Sequence, residues 1–199
     1  MSNDTGTLLP YIAALARAAR KGIPLPTLAD FCAYLNLSVK PLAAAVLAAL
    51  DTIHIDRSTR PAYPYFVDKD CINDPDFIAL EQTGPADYAL GSLEQYLHGA
   101  QKTGGWERGE AIYEYLKGSN TLSSCLGLAD LLAIQKLGIE AFRKHFASKV
   151  VSGWKSVVRD RDGNPFVPCL VEGDGGVVLF WTWFERGWNS RSPALRFAS

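Results

Sequence analysis

Only a few side chains have the types and spacing that metal binding or covalent catalysis requires. Glu94 and His98 lie four residues apart on a predicted helix, but a stable metal site needs a third ligand, and the other histidines are distant in sequence. A surface charge pair is the better interpretation. Cys125 and His145 are a conceivable nucleophile and base, yet no signal near them indicates a residue that would orient such a pair. The sequence predicts no metal ligand and no catalytic residue, although an enzyme with an unrecognised site stays an alternative.

Two turn segments are similar to ligand-binding loops only in part. Asp160, Asp162 and Asn164 are spaced like the start of a calcium loop, but Pro165 occupies the position where that loop needs glycine. Residues 173–176 are rich in glycine, but they lack the Lys and the Ser or Thr of a phosphate-binding loop. Hairpin turns account for both segments, and the sequence predicts no cofactor.

The composition is typical of a globular protein with no general attraction to polyanions or lipid. Of 199 residues, 48% are hydrophobic and 21% are charged, and the formal net charge is -1. No apolar run approaches the length that spans a bilayer, and the first residues include Asp4 but no early Lys or Arg of a signal peptide. The four cysteines form no C-x-x-C pair, which favours reduced and mostly buried thiols, with a disulfide as the alternative. We therefore predict a cytoplasmic protein that does not contact a membrane.

The residue pattern in the N-terminal quarter of the chain predicts three short helices. Residues 7–21 carry apolar side chains at helical spacing, and Gly22 and Pro24 end that helix. Two more helices follow within residues 27–50. They are joined by a tight turn at Asn36, a residue type that tolerates the left-handed backbone conformation.

The segment 27–50 resembles the helix-turn-helix superfamily. Cys32 stands at the small residue of the first helix and Asn36 at the turn residue that is usually glycine. Leu42 and Ala45 stand at the buried positions of the second helix. The Cys and the Asn depart from the usual residues, although both are sterically acceptable. The resemblance implies a DNA-binding element whose second helix faces a groove.

The pattern of apolar residues changes after residue 51. Residues 52–56 alternate between apolar and polar, and residues 63–67 could return beside them as a second strand. Three helices and a hairpin make up the winged-helix arrangement. The polar, turn-rich segment 68–76 is the predicted boundary between a winged-helix-like domain, 1–70, and a second domain, 77–199.

The second domain is predicted to contain helices followed by strands. The apolar periodicity and the glycine breaks predict helices over 86–98, 106–117, 121–136 and 139–148. Two glycine-containing turns separate three predicted strands over 156–161, 166–171 and 177–184. The predicted fold class is α+β, in which an N-terminal winged-helix-like three-helix unit with a hairpin precedes helices and a C-terminal three-stranded antiparallel meander.

DNA binding through the helix-turn-helix is one hypothesis for the function. Direct reading of bases needs donors and acceptors, whereas the second helix carries mostly Ala and Leu. Residues 1–70 contain seven Lys or Arg against six Asp or Glu, a far weaker positive charge than a dedicated DNA-binding domain carries. Contacts with the phosphate backbone would depend on five residues, the last two on the predicted hairpin: Lys21, Ser38, Lys40, Arg57 and Arg60.

Protein contact is the preferred hypothesis. Ala43, Ala44 and Leu47 form a smooth apolar stripe that suits close packing against another surface. Trp181 and Trp183 share one face of the aromatic C-terminal strand, and aromatic residues are enriched in the cores of interfaces. Packing inside the protein itself is the alternative for the stripe and the default interpretation for the aromatic strand. The sequence thus favours a non-catalytic, cytoplasmic interaction or regulatory protein of bacterial or phage-like origin, whose partner is another protein or a second copy of itself.

Overall fold

The computed structural model describes residues 51–198 of the chain. The predicted helix-turn-helix, 27–50, lies outside the described residues, as do six predicted contact residues: Lys21, Ser38, Lys40, Ala43, Ala44 and Leu47. The chain divides into two compact units, Met1–Thr52 and Ile53–Ser199. Strand β1 begins at Thr52, the last residue of the first unit, and every other described helix and strand belongs to the second unit.

Five α-helices form in the described part of the chain. Asp68 and Asp74 cap the first two helices, because each carboxylate accepts hydrogen bonds from backbone N–H groups that have no partner within the first turn. Gly138, with φ of 89°, separates the last two helices. The helices are α1 Lys69–Asn73, α2 Pro75–Glu81, α3 Gly109–Gly118, α4 Leu128–Leu137 and α5 Ile139–Phe146.

Within residues 51–198, ten strands form three sheets. The strands are β1 Thr52–His54, β2 Asp87–Ala89, β3 Leu93–Tyr96, β4 Glu107–Arg108, β5 Val150–Ser152, β6 Val158–Arg159, β7 Pro165–Gly173, β8 Gly176–Trp183, β9 Gly187–Trp188 and β10 Ala194–Phe197. The largest sheet has the order β3-β10-β5-β7-β6, and β8 also pairs with β7. Within this sheet β10 and β5 are parallel and every other pair is antiparallel. The remaining pairs, β1 with β2 and β4 with β9, are separate two-stranded sheets.

The predicted α+β class and the antiparallel C-terminal meander are confirmed. β6, β7 and β8 follow one another in the chain and pair as antiparallel neighbours. Gly163 and Gly175 have φ of 84° and 87° in the two connecting turns. This left-handed conformation is the reason that glycine is required there. The predicted helix over 139–148 is confirmed as α5.

The predicted hairpin of residues 52–56 and 63–67 is wrong. β1 pairs with β2, more than 30 residues further along the chain, and residues 61–66 form no strand. Pro61 and Pro64 lack the backbone N–H groups that a strand ladder uses, which is consistent with this result. Arg57 and Arg60 therefore do not lie on a hairpin wing.

The predicted helix over 86–98 is also wrong. The segment forms β2, a short 3₁₀ turn and β3, and β3 pairs along its whole length with β10. Pairing with a distant strand here overrides the helical spacing of the apolar residues. The predicted helix over 121–136 begins only at Leu128, after Gly127, and β9 and β10 form in a tail for which no element was predicted.

The polar segment 68–76 does not separate two compact units. It folds as α1 and the start of α2, and residues 53–70 belong to the same unit as the C-terminal sheet. Because the structure does not describe residues 1–50, the predicted domain limits, 1–70 and 77–199, stay a prediction.

The hydrophobic core has one cluster on each face of the large sheet. Helices α4 and α5 cover the first face, with Phe142 and Phe146 packed against Leu170. Helix α3 and two tryptophans cover the second face, where the rings of Trp154 and Trp188 lie 4.9 Å apart. Both faces of the sheet are therefore buried along most of β7, as its continuous apolar sequence requires.

Candidate interaction surface

The aromatic strand β8 has two different faces. Phe180 and Phe184 belong to the cluster that contains Trp154, while Leu179 packs against the cluster under α4 and α5. Trp181 and Trp183 share the face of Leu179, as the sequence predicts. Neither tryptophan belongs to the cluster under α4 and α5.

A cluster of five aromatic side chains includes both of these tryptophans. Ring centroids are 5.1 Å apart for Phe66 and Phe166, 6.1 Å for Phe66 and Trp181, and 5.9 Å for Phe166 and Trp183. Tyr65 lies 6.2 Å from Phe66 and is 92% exposed, and Trp183 is 46% exposed. We call these five residues the aromatic surface.

The inner border of the aromatic surface is fixed by packing. Tyr63 lies 6.2 Å from Trp181 and 5.9 Å from Phe77 of α2, measured between ring centroids. The hydroxyl of Tyr63 donates to a carboxylate oxygen of Glu81 at 2.9 Å. The segment 63–66 is thereby held against the sheet, so that Tyr65 is presented to solvent on a fixed support.

The chain beside the aromatic surface is acidic. Residues 68–76, which directly follow Phe66 and Val67, contain four Asp and one Lys. Asp70, Asp74 and Asp76 are exposed. Across residues 51–198 there are 16 Lys or Arg and 19 Asp or Glu. The segment 68–76 therefore supplies no basic track that would bind a phosphate backbone.

The two described residues that were predicted to contact nucleic acid are engaged within the protein. The guanidinium of Arg57 donates to Asp130 at 2.7 and 3.1 Å and to the carbonyl oxygen of Pro85 at 2.8 Å, and only 12% of its side chain is exposed. Arg60 donates to the carbonyl oxygen of Ile72. The other three candidates, Lys21, Ser38 and Lys40, lie outside the described residues.

Asp130 is the centre of a buried polar network that the sequence did not indicate. Besides the two hydrogen bonds from Arg57, its carboxylate accepts from the hydroxyl of Tyr88 at 3.0 Å and from the backbone N–H of Gly127 at 2.9 Å. The side chain of Asp130 is fully buried. Four donors around one carboxylate are what a buried charge requires, and they join the start of α4 to the loop after β1.

A second buried group surrounds Glu81. Its carboxylate accepts from the hydroxyls of Tyr63 and Ser156, and burial raises its pKa above the usual value while these two hydrogen bonds act in the opposite direction. Beside it the ammonium of Lys155 donates to the carbonyl oxygen of Thr83 at 2.8 Å. Lys155 is 1% exposed and Ser156 is fully buried, so no substrate reaches them. These groups join α2 to the turn before β6.

The buried ammonium of Lys155 gives a testable pH dependence. Burial lowers the pKa of Lys155 below the usual 10.5, against the attraction of Asp130. The unfolded chain keeps this proton up to about pH 10.5, whereas the folded chain releases it earlier, so the folded state gains stability as the pH rises between the two values. We expect the free energy of unfolding of the wild type, relative to Lys155→Met, to increase over this interval in urea titrations. The raised pKa values of Tyr63 and Tyr88 act equally in both proteins, and a difference independent of pH would contradict the prediction.

An open cleft lies between α1, α3 and β6. Its two adjoining parts measure about 580 and 620 Å³ and share Tyr113, Glu114, Arg159 and Phe184. The thiol of Cys71 lines one part. The three histidines contact residues elsewhere: His54 contacts Asp87, His98 contacts Tyr96 and His145 contacts Phe146. No histidine lines either part of the cleft, so no imidazole lies there that could act as a base for Cys71.

The candidate catalytic and metal-binding pairs of the sequence are not brought together. Burial raises the pKa of Cys125 to about 12, which makes this thiol a poor nucleophile. Glu94 lies on a strand instead of a helix and accepts from Arg196 at 2.7 Å, while His98 contacts the hydroxyl of Tyr96. Among residues 51–198, no group of three or more His, Cys, Asp or Glu is placed to hold a metal ion.

Of the five residues of the aromatic surface, the sequence indicates Trp181 and Trp183 as candidates but not Tyr65, Phe66 and Phe166. A signal was present, because residues 61–66 place three aromatic residues among two prolines, in a segment that cannot be a central strand.

No helix in the part of the chain that the structure describes is long and apolar enough to cross a membrane. No protein-family model, no curated protein and no solved structure matches the chain.

Proposed function

We propose that this chain is a non-catalytic, cytoplasmic interaction or regulatory protein and that the aromatic surface binds a partner protein. The observation that carries the proposal is the exposure of Tyr65 and Trp183 on a support of packed rings. Large exposed aromatic side chains on a rigid support are typical of the residues that contribute most to binding energy.

The partner in this proposal is an apolar protein segment that carries basic residues. Apolar side chains would pack on Trp183 and Tyr65, and Lys or Arg would lie beside the exposed carboxylates of residues 68–76. Complementary charge increases the association rate and the specificity, and its contribution weakens as the salt concentration rises. The apolar stripe of Ala43, Ala44 and Leu47 is a second proposed contact, on the helix-turn-helix segment.

DNA binding is the weaker proposal for the same chain. Arg57 and Arg60 donate their hydrogen bonds within the protein, and the described residues carry an excess of acidic groups. A DNA-binding protein instead derives most of its affinity from free Lys and Arg side chains at phosphates. The helix-turn-helix would then have to supply the phosphate contacts alone, through Lys21, Ser38 and Lys40.

Tyr65→Ala is expected to weaken peptide binding about 30-fold, since truncation of a residue that dominates an interface costs about 2 kcal/mol or more. The probes are peptides selected on the immobilised wild-type chain from a random peptide library, measured by fluorescence anisotropy. Selected peptides should combine aromatic or aliphatic residues with Lys or Arg. Tyr115→Ala is the matched control, because Tyr115 is 45% exposed and lies on α3.

Two results would contradict the proposal. One is a set of selected peptides that bind Tyr65→Ala as tightly as the wild type. The other is retardation of DNA by the chain at micromolar concentration and low salt, with no peptide selected, which would favour the DNA-binding alternative.

A further inference from the structure

The eight-residue strand β8 lies at the edge of the large sheet. β7 pairs with β8 along its whole length, and it pairs with β5 and β6 through the same residues. A strand has only two edges, so β5 and β6 must occupy the edge of β7 opposite to β8. The other edge of β8 has no neighbouring strand among the described residues.

The hairpin turn determines which backbone groups face this open edge. A two-residue turn makes Gly173 and Gly176 a hydrogen-bonded pair, and such pairs alternate along an antiparallel ladder. Val178, Phe180 and Thr182 therefore direct their N–H and C=O groups toward β7. The residues between them direct theirs outward: Val177, Leu179, Trp181 and Trp183.

Two of the outward carbonyl groups already have donors. The side-chain amide of Gln135 donates to the carbonyl oxygen of Val177 at 2.8 Å, and the backbone N–H of Arg186 donates to that of Trp183 at 3.3 Å. The outward N–H and C=O groups of Leu179 and Trp181 have no hydrogen-bond partner among the described residues. These four groups form a complete, unused pairing site in the middle of the strand.

The edge also lacks the features that prevent pairing with another chain. Edge strands of monomeric proteins are usually protected by Lys, by Pro or by a bulge. The sequence of β8, GVVLFWTW, contains no charged residue and no proline, and its pairing with β7 is continuous. Val178 is 45% exposed and Trp183 is 46% exposed.

We infer that β8 pairs antiparallel with β8 of a second copy of this chain, with Phe180 of one copy opposite Phe180 of the other. In this register Leu179 of each copy lies opposite Trp181 of the other, and the four unused groups of each chain are all paired. If the copies slide by two residues in one direction, Leu179 lies opposite Trp183, whose carbonyl oxygen already accepts from Arg186. If they slide in the other direction, Trp181 lies opposite Val177, whose carbonyl oxygen already accepts from Gln135.

The chemistry of the strand fits a second copy. A two-fold axis places identical surfaces against each other, so any charge on the edge would meet a like charge near the axis. An uncharged strand carries no such penalty. Val178 would lie opposite Thr182, and Trp183 opposite Val177, so that both exposed apolar side chains gain cross-strand neighbours.

The first test is the mass of the chain in solution. Light scattering after gel filtration should give about twice 21.7 kDa for the wild type at concentrations of about 100 µM, whereas Val178→Lys should give the mass of one chain. Tyr115→Lys is the matched control, since Tyr115 is equally exposed and lies on α3, and it should stay dimeric. A wild type that has the mass of one chain at all concentrations, or a dimer that Val178→Lys leaves intact, would overturn the inference.

The second test is the register. Opposed residues of a non-hydrogen-bonded pair lie about 4.5 Å apart at Cα, within the range of a disulfide. Phe180→Cys should therefore form a disulfide-linked dimer under mild oxidation. Val178 is more exposed than Phe180, but in this register residue 178 of one copy lies four residues away from residue 178 of the other. Val178→Cys should therefore not form a disulfide-linked dimer. Circular dichroism verifies that both variants are folded, and faster cross-linking of Val178→Cys would overturn the proposed register.

This inference and the proposed function are tested at different residues, although Trp181 and Trp183 of the aromatic surface lie on β8. Tyr65 does not lie on β8, and the side chain of Val178 points to the opposite face of the strand from the aromatic surface. A chain that dimerises but selects no peptide would contradict the proposed function alone. A monomer that binds the selected peptides through Tyr65 would contradict the inference alone.

Discussion

Replacing Asp130 with alanine is expected to lower the free energy of unfolding by about 3–5 kcal/mol. The carboxylate accepts hydrogen bonds from Arg57, Tyr88 and Gly127, and its side chain is fully buried. Its removal leaves a guanidinium that is only 12% exposed without its counter-charge, which is among the most destabilising single changes in a protein interior. Urea titration monitored by circular dichroism measures the loss.

A double variant separates the unpaired charge from the network itself. Arg57→Met combined with Asp130→Leu removes both charges and fills similar volume, and such replacements are often neutral or stabilising. We therefore expect the double variant to be more stable than Asp130→Ala, although Tyr88 and Gly127 still lose an acceptor. If the two proteins were equally unstable, the cost would come from these two donors and not from the isolated guanidinium.

Replacing Trp154 with alanine is expected to cost a similar amount, about 3–5 kcal/mol, for a different reason. The indole is fully buried, and its ring centroid lies 4.9 Å from that of Trp188 and 5.7 Å from that of Phe184. Truncation leaves a cavity at the centre of the cluster under α3, and the cost of such a change includes both the lost burial and the cavity. The same denaturation measurement applies, because chain length and probe are unchanged.

Trp154→Phe is the matched control. The indole N–H of Trp154 is buried without a hydrogen-bond partner among the described residues, so phenylalanine removes an unsatisfied donor together with part of the volume. We expect the loss to be well below that of the alanine variant. A loss as large as that of Trp154→Ala would indicate that the indole N–H has a partner in solution, such as a buried water.

The sequence predicts those elements of the fold whose information is local. The turns at Gly163 and Gly175 need positive φ, and the flanking strands are apolar, so the meander could be recognised without knowledge of the rest. Helix α5 has a strongly one-sided apolar pattern and begins after a glycine. In each case the residues that determine the element lie within a few positions of one another.

Elements that depend on distant partners were not predictable in the same way. β1 pairs with β2, and β3 pairs with β10 about 100 residues later. The apolar spacing of residues 86–98 fits a helix as well as it fits two short strands. The segment 93–96 forms a strand because it pairs with β10, and the four residues of β10 show no recognisable period in the sequence.

Two of the five residues of the aromatic surface could be recognised in the sequence. Trp181 and Trp183 are conspicuous on an apolar strand, and the period of two places them on one face. Tyr65 and Phe66 join them only because Val67 forms a bridge to Asp160, which carries the preceding residues across the sheet. The network of Asp130 depends likewise on Arg57, 73 residues earlier, so no local pattern could have indicated it.

The position of β10 also determines the order in which this protein can be completed during synthesis. β10 lies between β3 and β5, so the last described strand to leave the ribosome is an interior strand of the large sheet. Until residues 194–197 have emerged, β3 lacks its neighbour in the sheet and β5 has an open edge. The nascent chain therefore has two incompletely paired strands until β10 emerges, and unpaired strand edges are prone to aggregation.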